Sequence, residues 1–569
     1  MFGMFGRRTA LALRAERAFA LILLAALGFW VPRESTAAPL EASDAPSALR
    51  AIVAAGKLSD LHWPDFSDYR SILQSFYEAT SYQPAWVRNG QPTAQALAVI
   101  GALRSSDLKG LLPEDYDASR WAERLAQLSS ASVEQQARFD AALSVCAMRY
   151  ISDLHIGKIN PQHFKFNLNV GPKKLDLAEF VRTRLVDADA SSIPGAIDSV
   201  EPPFPGYQRT KIALQHYLVL EKQDDGEKLP VPAKTIAPGD TYAGVRRLTA
   251  LLRLLGDLPA EAAVSADANI YAGPLVDAVK HFQSRHGIEA DGKLGAGTIK
   301  QLNVPLSVRA KQLELTLERW RWVPHDFPSP PILVNIPEFR LRAYGADGRP
   351  ELVMNVIVGR ALRTQTPVFE RDMKFVVFRP YWNVPPSIQR SEIVPAILKN
   401  RNYIAQKNYE VTTQGGQVVT SGPISDEVLE QLRTGRLAVR QKPGPTNALG
   451  LVKLMFPNEY NVYLHSTPSP QLFSQSRRDF SHGCIRVEKP ADLAAWALRN
   501  NQGWDLARVQ ATMQGSKDNV QVNLTQPIPV LILYGTAVVE ENGTAHFFDD
   551  LYGHDASLEK ALAKGYPYP

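Results

Sequence analysis

The spacing of apolar residues changes near residue 332, and this change constrains the fold more than any other feature of the chain. Upstream, apolar residues recur three and four positions apart, which is the spacing of one buried helix face. Downstream, they form short β-branched or aromatic runs bounded by Pro or Gly, and such runs predict strands. The runs are 332–336, 352–358, 375–378, 452–456, 462–464 and 530–534. Strands this close together, without regular helices between them, predict an antiparallel-rich sandwich or barrel.

The chain of 569 residues is too long for one hydrophobic core, so three or four domains are expected. The region 45–225 is predicted to be a helical scaffold domain without catalytic residues. Two sets of residues there have helical spacing: Ala94, Leu97, Ala98 and Gly101, and Leu143, Ala147, Tyr150, Ile151 and Leu154. The polar, Pro-rich stretch 226–240 is predicted to be a linker.

A small domain is predicted over 241–305. It contains two apolar helical stripes and a turn-rich loop, 287–295, before a third short helix over 298–303. The stripes consist of Leu248, Leu251, Leu252 and Leu255, and of Leu275, Val279 and Phe282. Three short helices around one core are the expected arrangement.

The N-terminus has the layout of a secretory signal. Four Arg residues precede the apolar run 18–30, and the small residues Ser35, Thr36 and Ala37 follow it. The run is shorter than the roughly 20 residues of a membrane-spanning helix. Residues 1–37 are therefore predicted to be a signal peptide, and an uncleaved membrane anchor is the alternative. The net charge of +5 is small for this length, and no basic run predicts a nucleic-acid partner.

Cys146 and Cys484 are the only cysteines. Two thiols are too few for a disulfide framework, although a single disulfide is an alternative. Cys146 lies in the apolar run 141–148, where a thiol usually acts as a small hydrophobic side chain. The two cysteines and eleven histidines form no cluster with the spacing of metal ligands. Neither a metal nor another cofactor is predicted.

Cys484 is the candidate nucleophile, within the run Ser481-His482-Gly483-Cys484-Ile485-Arg486. An ordinary thiol has a pKa of about 8.5, so it needs a paired His or nearby N–H donors to react at neutral pH. His465 ends the predicted strand 461–464, and this rigid position favours it as general base and acid. His482 reaches the thiol less easily from the same tight turn, and is expected to shape the loop.

Other residues near Cys484 have predicted supporting roles. Gly483 permits an unusual backbone conformation, and the N–H groups of Gly483 and Cys484 are expected to stabilise an oxyanion. Ser466 is the candidate that orients the ring of His465. Arg486 is a candidate carboxylate partner, with a structural tie as the alternative. Three aromatic residues could line a peptide groove or belong to the core: Tyr463, Tyr381 and Trp382.

Residues 332–534 resemble the catalytic domain of L,D-transpeptidases. The matching stretches are 334–337, 366–369, 380–385, 444–450, 462–468 and 481–487. Residues 242–304 resemble a peptidoglycan-binding domain through the pattern Phe-Gln, Gly-Ile, Asp-Gly, Gly, Thr and Leu-Asn. With the helical region ahead of them, the chain is similar to the large multidomain Gram-negative members.

The resemblance implies a multidomain α+β fold. It consists of a helical scaffold, a three-helix peptidoglycan-binding domain and a mostly-β catalytic domain over 306–569, with an inserted lid over about 386–443. It also implies that Cys484 attacks a diaminopimelate carbonyl, D-alanine leaves, and a second stem forms a 3→3 cross-link, with His465 as proton partner. Many relatives have Asp or Gly at position 466, so a backbone carbonyl is the alternative orienting group.

Several alternatives remain open. The same thioester could react with water in an L,D-carboxypeptidase, or the protein could be a catalytically silent wall-binding scaffold. The implied partners are peptidoglycan peptide stems, with other wall-synthesis enzymes as further candidates. The implied location is the periplasm, with contact to the inner membrane only if the N-terminal segment remains uncleaved.

Overall fold

The first part of the chain is helical, as its apolar periodicity predicts. A computed structural model describes residues 44–171, 173–264, 269–362 and 364–566. The predicted signal peptide, 1–37, lies outside the described residues. The scaffold elements are α1 (Ala45–Ala55), α2 (Arg70–Glu78), β1 (Val87–Arg88), β2 (Gln91–Pro92), α3 (Ala94–Arg104), α4 (Trp121–Gln127), α5 (Val133–Ile156), α6 (Leu177–Phe180), α7 (Ile193–Asp198) and α8 (Pro205–Gln223). No helix of the described residues is long and apolar enough to cross a membrane.

The longest scaffold helix, α5, lies at the centre of this domain. It begins with a capping box, in which the side chains of Ser132 and Gln135 each accept the other residue's backbone N–H. Its predicted apolar face is buried, together with Cys146. Both cysteines are free thiols, so the alternative of a disulfide between Cys146 and Cys484 is wrong.

The predicted buried face of α3 is also wrong. Leu97 is 48% exposed, whereas the buried residues are Ala96, Val99, Ile100 and Leu103. Both sets have helical spacing in this Ala-rich helix. The set with more large apolar side chains packs against α5, because it removes more apolar surface from water.

A three-helix domain follows the scaffold, as predicted. Its helices are α9 (Val245–Leu254), α10 (Pro274–Arg285) and α11 (Ala296–Leu302), and a further helix, α12 (Leu306–Trp320), comes after it. The stretch 226–240, predicted to be a linker, contributes to the core of this domain. Leu229 and Ile236 are buried there, and the backbones of Ile236 and Leu294 are hydrogen-bonded to each other.

Eight of the described strands in the C-terminal half form a closed barrel. In chain order the strands are β3 (Ile332–Asn335), β4 (Arg340–Tyr344), β5 (Pro350–Ile357), β6 (Phe369–Phe378), β7 (Trp382–Asn383), β8 (Tyr409–Thr413), β9 (Val418–Thr420), β10 (Leu437–Gln441), β11 (Val452–Met455), β12 (Leu464–His465), β13 (Ile485–Val487), β14 (Val520–Leu533), β15 (Ala537–Val539) and β16 (Ala545–Phe547). The barrel order is β11-β12-β13-β5-β4-β3-β14-β6. The β12–β13 and β3–β14 pairs are parallel, and the other barrel pairs are antiparallel.

The segment predicted to be a lid forms a subdomain between β6 and β11. Its sheet has the order β7-β10-β8-β9, so it begins at Trp382, slightly before the predicted boundary. Its helices are α13 (Pro386–Ile388), α14 (Val394–Lys399), α15 (Tyr403–Gln406) and α16 (Asp426–Arg433). The subdomain has its own hydrophobic core, in which Ile397, Val411 and Leu432 are fully buried.

Segments on both sides of the barrel pack against the scaffold. Helix α12 lies against α8, and the β15–β16 hairpin joins the same hydrophobic cluster. The remaining helices are α17 (Pro490–Ala497), α18 (Leu506–Gln514) and α19 (His554–Leu562). Beyond α19, the phenol of Tyr566 donates a hydrogen bond to Asp153 of α5. The C-terminal segment therefore connects the barrel to the scaffold.

Candidate active site

Neighbouring barrel strands place the predicted catalytic residues on one face of the barrel. Leu464 of β12 is paired with Ile485 of β13, and both side chains are buried in the barrel core. His465 is paired with Arg486. Successive side chains of a strand point to opposite faces. His465 and Arg486 therefore lie on the face opposite to the core, and Cys484, which precedes Ile485, lies on that face too.

The thiol of Cys484 is half-buried. Its sulfur lies 3.5 Å from the carbonyl oxygen of Asn461. Burial raises the pKa of Cys484, while hydrogen bonds from the main chain and phenol of Tyr463 lower this pKa in part. The net shift is upward, so the thiol is protonated at neutral pH.

The imidazole of His465 is buried and fixed in one orientation. Its Nδ1 lies 2.6 Å from the carbonyl oxygen of Ser466. A carbonyl can only accept, so Nδ1 carries the hydrogen and Nε2 keeps its lone pair. Burial, and then the positive charge of Arg486, lower the pKa of His465 to about 3. His465 is therefore a neutral imidazole whose unprotonated Nε2 can accept a proton.

Ser466 contacts the ring of His465 through its main chain, which was the alternative to its hydroxyl in the sequence prediction. The strand ending at His465 positions this carbonyl beside the ring. Gly450 lies against the same residue, and a Cβ at Gly450 would lie only 2.5 Å from Oγ of Ser466. Gly450 also has a φ of +61°, a conformation that favours glycine.

The turn that carries Cys484 is held by several hydrogen bonds. Gly483 has a φ of +115°, which agrees with the predicted need for glycine. The hydroxyl of Ser481 accepts the N–H of Gly483 at 3.1 Å and donates to the carbonyl of Cys484 at 2.5 Å. Thr366, fully buried, donates to the carbonyl of Gly483 at 2.8 Å.

These bonds change the predicted set of oxyanion donors. The N–H of Gly483 already has the Ser481 hydroxyl as its acceptor. In the described part of the chain, no acceptor faces the N–H of Cys484. The Cys484 N–H is thus the free main-chain donor at the nucleophile.

Arg486 belongs to a group of cations around the thiol. Burial, and then the nearby Arg360, lower the pKa of Arg486, and its buried Nε has no hydrogen-bond partner. Lys453 of β11 is the cross-strand partner of His465 on the other side. Burial lowers the pKa of Lys453 as well. Among the described residues, no Asp or Glu forms an ion pair with any of these three cations.

Three regions of the chain match known protein families. Residues 330–530 match the family model described as "L,D-transpeptidase catalytic domain". This part of the chain is therefore similar to L,D-transpeptidase catalytic domains. Residues 71–214 match a "Scaffold domain", and residues 241–302 match a "Putative peptidoglycan binding domain". The predicted multidomain architecture is confirmed.

One curated relative is similar over part of its length. The Haemophilus influenzae protein named "Putative L,D-transpeptidase" is 34% identical over 264 residues, which are 46% of this chain and 51% of that protein. The match therefore spans about half the length of the relative.

His482 links the barrel domain to its inserted subdomain. Its Nε2 lies 2.6 Å from Oε1 of Glu392, in the segment between α13 and α14. The carboxylate accepts, so Nε2 carries the hydrogen in this pair. The predicted loop-shaping role of His482 thus takes the form of a contact between the cysteine turn and the insertion.

The three aromatic candidates differ in their relation to the transpeptidase site. Burial raises the pKa of Tyr463, whose phenol lies near enough to Cys484 and to the side chain of Trp382 for both to influence this pKa. Trp382 of the insertion thus lies near Tyr463, which neighbours the thiol. The guanidinium carbon of Arg440 instead lies over the ring of Tyr381, 4.4 Å from the ring centroid. Among the described contacts, none joins Tyr381 to Cys484.

Two residues of the site were missed by sequence reasoning. Lys453 flanks His465, but it is an ordinary strand residue in the sequence. Tyr552 lies beyond the matched stretches, and its hydroxyl donates to the carbonyl of Gly359 at 2.6 Å and accepts the N–H of Thr366 at 3.3 Å. Among the described residues, no cluster of three His, Cys, Asp or Glu could hold a metal ion.

Proposed function

We propose that the protein is a peptidoglycan L,D-transpeptidase with Cys484 as nucleophile and His465 as proton acceptor and donor. One observation carries this proposal. Both residues lie on one face of paired strands, and the Ser466 carbonyl holds Nδ1 of His465 so that Nε2 remains the base. The match to an L,D-transpeptidase catalytic domain supports the reaction class.

In the first half-reaction, the thiol proton moves to Nε2 of His465 while the sulfur bonds to the third-residue carbonyl carbon of a tetrapeptide stem. The resulting oxyanion accepts a hydrogen bond from the Cys484 N–H. The C–N bond to D-alanine then breaks, and His465 returns the proton to the leaving amine. The product is a thioester between Cys484 and a diaminopimelate residue.

In the second half-reaction, the side-chain amine of a diaminopimelate on another stem attacks the thioester. His465 accepts a proton from this amine, a C–N bond forms, and the C–S bond breaks. The proton passes from His465 to the departing sulfur, which restores the thiol. The product is a 3→3 cross-link.

The electrostatics favour general-base catalysis over a preformed thiolate–imidazolium pair. The pKa of Cys484 is raised and that of His465 is about 3, so both groups are neutral in the resting protein. Proton transfer must therefore accompany attack on the carbonyl. The substrate carbonyl has to be positioned before the sulfur becomes a strong nucleophile.

The other domains suggest where the protein acts. Domains that act on and bind peptidoglycan support a location outside the cytoplasm, in the periplasm. The inserted subdomain contacts the cysteine turn through Glu392 and approaches the thiol through Trp382. We assign it the role of a lid that excludes water from the thioester.

The function is tested by incubating the purified protein with disaccharide-tetrapeptides and analysing the products by mass spectrometry. Dimers that lack one D-alanine are expected. Tripeptides without dimers would support the carboxypeptidase alternative, and unchanged substrate would support the silent scaffold.

Three variants separate catalysis from folding. Cys484→Ala and His465→Ala are expected to abolish release of D-alanine while thermal unfolding stays cooperative. Cys146→Ala is the matched control, because this thiol is buried in the scaffold core away from the barrel. D-alanine release by the Cys484 variant would contradict the proposed nucleophile.

A further inference from the structure

Three side chains form a row across the barrel strands beside the thiol. Lys453 of β11, His465 of β12 and Arg486 of β13 are consecutive cross-strand partners. Paired residues of adjacent strands project from the same face. His465 is therefore flanked by one cation on each side, on the face that carries Cys484.

Neither cation has a compensating charge. Within the described ranges, no carboxylate pairs with Lys453 or Arg486, and the buried Nε of Arg486 lacks any hydrogen-bond partner. Burial lowers the pKa of both groups. Partly buried charges are costly unless they are paired, and the charged side chain that lowers the pKa of Arg486 is a further cation, Arg360.

A local contact accounts for only part of this arrangement. The ammonium of Lys453 lies 5.8 Å from the ring centroid of Tyr463, which permits a weak cation–π interaction. This contact leaves the hydrogen-bond donors of the ammonium group unused. It also gives no partner to the guanidinium of Arg486.

We propose that Lys453 and Arg486 together bind a carboxylate of the acyl-donor peptide, one from each side of His465. Adjacent strands are about 4.8 Å apart, so the two backbones stand roughly 10 Å apart, and the long side chains can meet on one carboxylate. The guanidinium offers a planar pair of donors and the ammonium a point charge. This inference rests on the proposed function for the identity of the ligand.

The site selects donors by charge. A stem tetrapeptide has a carboxylate on its terminal D-alanine and another on the side chain of diaminopimelate, and both lie close to the carbonyl that Cys484 attacks. Lys453 and Arg486 can bind either carboxylate through the same charge-assisted hydrogen bonds. A donor in which the bound carboxylate is a carboxamide loses a charge-assisted contact with both side chains.

The test measures binding first, in the Cys484→Ala background so that no turnover occurs. Three tetrapeptides are compared by calorimetry: the free acid, the D-alanine carboxamide and the diaminopimelate carboxamide. One carboxamide is expected to bind about 10- to 100-fold more weakly than the free acid, as for loss of a hydrogen bond to a charged group. That peptide identifies which carboxylate is bound.

Lys453→Met should weaken binding of the free acid by a similar factor and leave the weaker carboxamide almost unaffected. Lys453→Arg should restore most of the preference. Lys374→Met is the matched control, because Lys374 is an exposed lysine on another barrel strand, β6. Equal binding of all three peptides, or an equal loss of affinity for acid and carboxamide in Lys453→Met, would overturn the proposal.

Release of D-alanine by the unmodified protein keeps the two proposals apart. Selective binding of the free acid without any release contradicts the proposed function but supports the carboxylate site. Normal release with equal kcat/KM for acid and carboxamide donors supports the function and overturns the carboxylate site.

Discussion

Nε2 of His482 lies 2.6 Å from the carboxylate of Glu392, and this contact joins the cysteine turn to the inserted subdomain. His482 is two residues from Cys484 in the chain. A movement of the insertion away from the barrel must therefore break a contact close to the nucleophile. This geometry suits a lid whose opening directly affects the turn that carries Cys484.

We expect Glu392→Gln to raise the share of tripeptide among the products. The substitution weakens the contact with His482, so the insertion opens more often and water reaches the thioester. Both partners are partly exposed, and an exposed contact of this kind is worth at most about 1 kcal/mol, so a change of up to about fivefold is expected. Mass spectrometry of the tripeptide-to-dimer ratio measures this effect.

Glu430→Gln is the control for this prediction, because Glu430 forms an exposed pair with Arg433 within the same insertion. Its product ratio should stay unchanged. An unchanged ratio in Glu392→Gln as well would contradict the assigned role of the contact.

Substitutions at Ser466 and Gly450 should separate main-chain from side-chain orientation of His465. Ser466→Ala keeps the carbonyl that accepts from Nδ1, so D-alanine release should remain close to normal. Gly450→Ala introduces a Cβ 2.5 Å from Oγ of Ser466 and a strained φ, and displaces this carbonyl. A loss of roughly 100-fold is expected, as for a misplaced catalytic group. A large loss in Ser466→Ala alone would show that the hydroxyl orients the ring.

The sequence predicts some parts of the site better than others, for physical reasons. Cys484 and His465 stand out because a Gly-containing turn and a strand end are local features. The role of the Ser466 carbonyl depends on backbone geometry that its side chain does not encode. Lys453 depends on strand register, since a shift by one residue would turn it into the barrel core.

The fold, like the site, has local features that the sequence predicts and long-range features that it does not. The change from helical to strand periodicity predicts the helical scaffold and a sandwich or barrel after it, because each period follows from local backbone geometry. The face of α3 was mispredicted because two apolar sets share one spacing, and only packing against α5 selects between them. The connection of Tyr566 to Asp153 joins distant parts of the chain, so local pattern carries no signal for it.

Tyr552→Phe should lower kcat more than it changes KM. The hydroxyl of Tyr552 connects Gly359 with Thr366, and Thr366 in turn holds the carbonyl of Gly483. Each of the two lost hydrogen bonds is worth about 1 kcal/mol, and the part of this loss that loosens the turn through Thr366 should lower kcat by roughly fivefold to tenfold. Steady-state kinetics of D-alanine release measures both constants.

Tyr344→Phe is the matched control, because Tyr344 is a partly buried barrel residue whose phenol makes no hydrogen bond within the described residues. Equal kinetic effects in the two variants would assign the Tyr552 effect to general destabilisation of the barrel. A change in KM alone would place Tyr552 in substrate binding.

The acid limit of catalysis, meaning the pH below which kcat/KM declines, should lie well below the ordinary pKa of histidine. His465 must be neutral to accept the thiol proton, and its pKa is lowered to about 3, first by burial and then by Arg486. Because kcat/KM reports the free enzyme, it should stay level from pH 7 to pH 5, where an exposed histidine of pKa about 6.5 would already be protonated. Because the pKa of Cys484 is raised, the thiol stays protonated up to mildly alkaline pH, and kcat/KM should not decline there.

The lowered pKa of His465 also makes the stability of the fold depend on pH. Between the unfolded pKa of about 6.5 and the folded pKa of about 3, the unfolded chain binds more protons at His465 than the folded protein does. This residue therefore makes the free energy of unfolding decrease as the pH falls through that window. Kinetics near its lower end should accordingly be checked by circular dichroism for loss of fold.

Arg486→Met tests the cause of the shift. Removing the guanidinium takes away the largest charge that opposes protonation of His465, so the pKa of His465 should rise and the acid limit of kcat/KM should move to higher pH. Its position on the pH axis is the informative quantity, because loss of substrate contacts would lower kcat/KM at every pH alike. Arg433→Met, at an exposed arginine of the insertion, should leave the limit in place. An acid limit near 6.5 in the unmodified protein would mean that His465 is not held neutral by its surroundings.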